Sequence, residues 1–247
     1  MRWIVGMLLL GITTAVIGEP RGGELYAAHC AGCHGDTGKG GVGVPLSLPS
    51  FLESVDDNFL RTTIRLGRPG RVMPGFQALS DAQLDAIVSF IRGWSGKPAP
   101  DFSDRPVAGD VQHGKQLFAS ECADCHGKNG EGGKGTGVTF SRMRSAPIIA
   151  PALNNSGFLA AASDEMIRYT LKLGREGTPM DSFLEEGLSE QDLDDLVSYV
   201  RSWEKQPPAP GKPAVSAAES TLYVESSYTL EETIANLKDA IISQNYI

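Results

Sequence analysis

The string Cys30-Ala31-Gly32-Cys33-His34 returns in kind as Cys122-Ala123-Asp124-Cys125-His126. Each reads C-x-x-C-H, and together they hold all 4 cysteines and two of the 4 histidines of the chain. Two thiols three positions apart share one helical turn, so each can form a thioether to a vinyl group of the same haem. The histidine beside the second thiol then lies under the iron as its proximal ligand. The spacing predicts two covalently attached haem c groups, with Cys30, Cys33, Cys122 and Cys125 on the porphyrins and His34 and His126 on the irons. Other uses of the pattern fit less well. A zinc site built from both pairs leaves the adjacent histidines without a role. A redox C-x-x-C should follow a strand in a βαβ pattern, which the sequence lacks. A disulfide between positions i and i+3 would be strained.

Around these strings lies an internal duplication. Gly22-Gly23-Glu24-Leu25-Tyr26 aligns with Gly114-Lys115-Gln116-Leu117-Phe118, at the same distance before each motif. Phe51 to Asp57 matches Phe158 to Asp164, Leu66-Gly67-Arg68 matches Leu173-Gly174-Arg175, and Leu79 to Trp94 matches Leu188 to Trp203, with Arg92 opposite Arg201. The second copy carries about fifteen extra residues between His126 and Phe158, centred on Thr136 to Ala150.

Each copy reads as three helices with long loops, an all-α unit. The first helix ends in the C-x-x-C-H motif. The second runs from about Asp57 to Leu66, with Phe59, Leu60, Thr63 and Ile64 on its core face, and Gly67 ends it. The third starts at Ser80, where Gln83 completes a capping box. Its stripe is Leu84, Ile87, Val88 and Ile91, repeated as Leu193, Leu196, Val197 and Val200. Tyr26 with Phe90, and Phe118 with Tyr199, mark where first and last helices cross. Copies this small are marginal for a self-sufficient apolar core, so a buried haem is expected to supply much of it.

The sixth iron position is expected to fall to a methionine. Met73 lies in Gly70-Arg71-Val72-Met73-Pro74 and Met180 in Gly177-Thr178-Pro179-Met180, aligned across the repeat. Neither belongs to a helical stripe, and thioether sulfur suits low-spin iron. Met143, in the insertion, is the alternative to Met180, whereas Met166 reads as core. His29 and His113 have no aligned counterparts and read as surface or supporting residues. A proline carbonyl is expected to accept the other ring N–H of each proximal histidine: Pro45 or Pro49 in the first copy, Pro147 or Pro151 in the second.

The run C-x-x-C-H-G, the Gly-rich loop, the Leu-Gly-Arg helix end, the Met loop and the final Arg-x-Trp resemble class I c-type cytochromes. The tandem is similar to the two-haem members of bacterial periplasms. The resemblance covers about residues 22–94 and 110–203, within domains read as 22–94 and 108–203. It implies an all-α fold around each haem and one-electron transfer between a redox donor and an acceptor, such as a membrane oxidase or dehydrogenase complex.

The remaining segments set the context. Met1-Arg2, an apolar run from Trp3 to Ile17, and Gly18 describe a signal peptide over residues 1–18; an uncleaved anchor is the other reading and the one route to a membrane. Export fits haem attachment and predicts a periplasmic protein. Pro-rich linkers span 95–107 and 204–217. Residues 218–247 fall outside the repeat and read as a short strand, Leu222 to Glu225, then a helix capped by Thr229 and Glu232. This βα tail is either a docking segment or a truncated domain. Net charge is −8 and pI about 5.0, which argues against nucleic acid. Two function classes stay open beside a free electron carrier: a haem enzyme with one open iron, of peroxidase or sulfur-compound dehydrogenase type, and an electron-transfer subunit docked in a larger complex.

Overall fold

The computed structural model describes residues 21–41, 43–134, 149–205 and 227–243. The signal peptide, Met143, Pro147, residues 206–217 and the strand expected at Leu222 to Glu225 lie outside the described residues.

The first copy is built from α1 (Gly22–His29), α2 (Ala31–His34), α3 (Pro49–Glu53), α4 (Asp57–Leu66) and α5 (Asp81–Arg92). The second repeats them as α6 (Val111–Leu117), a π-type turn over Phe118–Cys122, α7 (Ala123–His126), α8 (Ser156–Ala161), α9 (Asp164–Leu173) and α10 (Glu190–Ser202). The described residues are helical apart from one short ladder, β1 (Gly133–Lys134) antiparallel to β2 (Ile149–Ala150), which closes the base of the insertion. α11 (Leu230–Ser243) follows in the tail. The three expected helices per copy are present; α3 and α8 are additional one-turn pieces too short for periodicity to reveal.

Local chemistry accounts for the helix ends. Asp56 caps α4 by accepting from the Phe59 N–H at 2.6 Å, and Ser163 caps α9 by accepting from the Met166 N–H at 3.1 Å. Ser80 with Gln83, and Ser189 with Asp192, form reciprocal capping boxes, each worth about 1 kcal/mol. The buried faces follow the apolar periodicity: Phe59, Leu60, Thr63 and Ile64 on α4, and Met166, Ile167, Thr170 and Leu171 on α9.

α1 crosses α5 and α6 crosses α10 through glycine. A Cβ on Gly22 would strike the Ala86 carbonyl, and one on Gly114 the Asp195 carbonyl. Beside each crossing lies an aromatic triad: Tyr26, Phe90 and Trp94 in one copy, Phe118, Tyr199 and Trp203 in the other, with ring centroids 5.0–5.5 Å apart. Arg92 then ties α5 to the turn between α3 and α4. It donates to the Leu52 and Val55 carbonyls and pairs with Asp57 at 2.6 Å. Arg201 does the same with Leu159, Ala162 and Asp164.

The copies meet through equivalent patches. The Phe59 and Phe158 rings are 6.3 Å apart. Arg68 donates to the Gly157 carbonyl at 3.1 Å, the Asn155 amide to the Pro69 carbonyl at 2.8 Å, and Ser50 Oγ to the Glu176 carbonyl at 2.7 Å. Arg68 stacks on Phe158, and Arg175 on Phe51. Phe51 aligns with Phe158, and Arg68 with Arg175, so the seam has the self-complementary character of a two-fold dimer interface. The linker between copies is fastened to the second. The Ser103 and Val107 N–H groups donate to the Glu165 and Asp164 carboxylates in the first turn of α9, and Phe102 packs on Tyr169.

Candidate functional site

Each C-x-x-C-H motif sits just past a kink. Cys30 (φ −121°, ψ −36°) and Cys122 (φ −118°, ψ −32°) interrupt the helix in the same way. The next four residues then wind one further turn, α2 or α7, and bring the thiol pair and the histidine together. All four cysteines are free thiols. Burial pushes Cys30 up to about 11 and Cys122 up to about 12. That is opposite to the depressed values of redox-active or metal-ligating thiolates.

The histidines are oriented from behind. His34 Nδ1 lies 2.8 Å from the Val44 carbonyl, and His126 Nδ1 lies 2.9 Å from the Pro151 carbonyl. A carbonyl only accepts, so Nδ1 carries the proton and Nε2 presents its lone pair, the tautomer an iron ligand needs. Burial lowers the pKa of both rings and keeps them neutral. Gly43 lies flat against the His34 ring, where a Cβ would approach it to 2.7 Å. The expectation of a proline carbonyl holds at Pro151. In the first copy neither Pro45 nor Pro49 serves; the acceptor is Val44. Any backbone carbonyl can accept this bond, and Pro45 restrains the residue before it to extended geometry. Val44 and Pro151 hold equivalent places. The loops after both motifs match as far as the Gly40 N–H to His34 carbonyl bond and its counterpart from Gly132 to His126. The insertion falls between Gly132 and Pro151.

The two methionine loops share one frame. The Arg68 N–H donates to the Met73 carbonyl at 2.9 Å, and the Arg175 N–H to the Met180 carbonyl at 2.6 Å. Three residues on, the Phe76 and Phe183 N–H groups return to the Ile64 and Leu171 carbonyls. Gly67 and Gly174 make this corner possible. Both have φ +67° with ψ near −155° to −160°, a region essentially confined to glycine. A Cβ there would collide with the backbone beside the methionine. Met73 and Met180 are half-buried. The Met73 loop reaches the first motif through Phe76, whose ring lies 5.7 Å from that of His29. In the second copy the charge of Arg175 is felt at His126. Met166 is core, as expected. His29 is exposed, and His113 pairs with Asp195 at 2.7 Å.

These features recur with one spacing, ligand type and tautomer in both copies, and the family comparison agrees. The family described as "Cytochrome C oxidase, cbb3-type, subunit III" matches residues 19–91, and that described as "Cytochrome c" matches residues 111–204. The chain is a tandem c-type cytochrome. Its cofactors are two covalent haem c groups, and the unpaired thiols and free Nε2 atoms fit them. The cytochrome is 28% identical over 215 residues to the cbb3-type cytochrome c oxidase subunit CcoP of Rhodobacter capsulatus, covering 76% of this chain and 66% of that one. It is 28% identical over 193 residues to the cytochrome bc1 complex cytochrome c subunit of Mycobacterium tuberculosis, covering 73% and 61%. An 85-residue stretch is 42% identical to the dihydro-heme d1 dehydrogenase of Pseudomonas aeruginosa, covering 34% and 17%. The chain thus spans about two thirds or less of these relatives. A reducing HAO-like protein complex of Kuenenia stuttgartiensis overlays with a TM-score of 0.49 at 22% identity, covering 74% of this chain and 94% of that one.

Sequence patterns did not reveal the kink at the first cysteine, the role of Val44, the Arg92 and Arg201 ties, or the crossed arginines of the seam. The paired Leu-Gly-Arg and Arg-x-Trp strings were the visible signal for the last two.

Proposed function

We propose that this cytochrome carries single electrons between redox proteins outside the cytoplasm, with His34 and Met73 ligating one iron and His126 and Met180 the other. Bound haem supplies the reversible one-electron exchange. The chain's residues hold it: Cys30, Cys33, Cys122 and Cys125 tether the porphyrins, and each Nδ1–carbonyl bond fixes a ring and its tautomer. The bracketed loops present the two thioethers. The observation that carries this reading is the duplicated methionine frame, with the same hydrogen bonds on both sides of each methionine. A sulfur ligand at both irons leaves no open position for a substrate, which favours a carrier over an enzyme.

The partners we infer are a donor and an acceptor within a redox complex, since the relatives are named as subunits of a cbb3-type cytochrome c oxidase and of a cytochrome bc1 complex. No described helix is long and apolar enough to cross a membrane; the apolar run at Trp3 to Ile17 provides export or an anchor. α11 favours a docked subunit over a free carrier, since Leu230 and Leu237 are 70% and 56% exposed. The methionine–iron charge-transfer band of the oxidised holoprotein tests the ligand assignment. It should fall by about half in Met73→Ala and again in Met180→Ala. A band that survives the double substitution contradicts the assignment.

A further inference from the structure

Arg68 and Arg175 are counterparts, each directly after the glycine that ends α4 or α9. Both guanidinium groups lie in the seam, yet they are used differently. Arg68 is bonded within the protein. Its Nη1 donates to the Gly67 and Gly157 carbonyls at 3.3 and 3.1 Å, and its Nη2 to Thr63 Oγ1 at 2.9 Å. The Phe59 and Phe158 rings flank it at 5.4 and 5.9 Å. Arg175 stacks on Phe51 at 5.1 Å, and its guanidinium makes no hydrogen bond or ion pair among the described residues. Its Nε is buried without a partner.

Burial lowers both guanidinium groups to about 10, so both remain cations at neutral pH. A buried cation with unused donors is costly, and a guanidinium fork matches a carboxylate. The Arg175 N–H is bonded to the Met180 carbonyl at 2.6 Å, so this residue stands beside the methionine loop of the second copy. The unused cation therefore belongs to the second haem site, and its counterpart in the first copy is committed to the seam. A haem carries carboxylates, and the described residues place no other anion on Arg175.

We propose that Arg175 holds a carboxylate of the second haem and sets that site's reduction potential above the first, so that electrons pass from the first copy to the second. A nearby cation disfavours Fe(III) relative to Fe(II), which raises the potential. The proposal rests on the reading of each copy as a haem module.

The test is a spectroelectrochemical titration of the holoprotein, its haem content checked by haemochrome assay, beside Arg175→Gln, Arg175→Lys, Arg68→Gln and Met180→His. The parent should show two one-electron waves, and the upper should be the one that falls in Met180→His. Arg175→Gln should lower that upper wave by roughly a tenfold change in equilibrium, about 59 mV for one electron, and leave the lower wave in place. Arg175→Lys keeps the charge without the fork and should lower it by less. That variant decides the matter if the glutamine protein loses its second haem. Arg68→Gln should leave the upper wave where it is. An upper wave unmoved in both Arg175 variants, or lowered equally by Arg68→Gln, overturns the proposal, as does a fall of the lower wave in Met180→His. Two haems per chain by haemochrome that titrate at one shared potential also overturn it, whereas fewer than two haems per chain would instead overturn the haem-module reading itself.

Discussion

His34 and His126 show how little is needed to prepare a ligand: one carbonyl behind the ring and, at His34, a glycine beside it. The same economy operates at Gly67 and Gly174, whose backbone angles are closed to other residues. Gly67→Ala or Gly174→Ala should cost about 1–3 kcal/mol from the backbone conformation alone, with more from the collision beside the methionine. Chemical denaturation of the holoprotein measures the loss, and the methionine–iron band should weaken in the same variant. On the proposed ligation, Met180→Ala should remove half of that band and Met143→Ala none of it. The C-x-x-C-H strings were legible because haem chemistry fixes their spacing. Val44 was not, since its contribution is a carbonyl that every residue possesses.

At the scale of elements, the helices were legible from caps and stripes, whereas the ties between them depend on tertiary geometry. Arg92 and Arg201 each satisfy two carbonyls and a carboxylate at a turn. Replacing either by alanine leaves the two carbonyls without that donor and should destabilise its copy by about 2–4 kcal/mol, read from urea unfolding. One tie exists only in the second copy. His113 on α6 meets Asp195 on α10, where the first copy has Arg21 and Ala86. Hydrogen bonding to Asp195 raises the pKa of His113. Burial pushes Asp195 up, but its bonds to His113, Gln191 and the Asp110 N–H outweigh burial and hold it low. The histidine contribution is complete below its unfolded value, about 6.5, and is lost as pH rises through its higher folded value. The aspartate contribution is present above about 3.9 and is lost as pH falls through its lower folded value. The melting temperature of the protein should therefore exceed that of His113→Gln most at about pH 5–6, and the gap should close toward pH 9. A gap that widens with pH contradicts the pairing.

For the whole molecule, duplication was plain in the sequence, but the way the copies meet was not. The residues that build the seam, Phe51, Arg68, Phe158 and Arg175, stood out in the sequence only as matched positions of the repeat. Only the fold brings them into two crossed stacks. Gly157 packs onto the Gly67 carbonyl, so a larger side chain should wedge the copies apart. Gly157→Leu should increase the radius of gyration in solution scattering while leaving both haems attached. An unchanged radius would mean that the seam does not hold the copies together. The central claim is that both irons are closed by methionine and serve electron transfer alone. Carbon monoxide added to the fully reduced holoprotein tests it most directly. We predict no change in the absorption spectrum at neutral pH; rapid carbon monoxide binding at either haem would contradict the account and point to an open, enzymatic site.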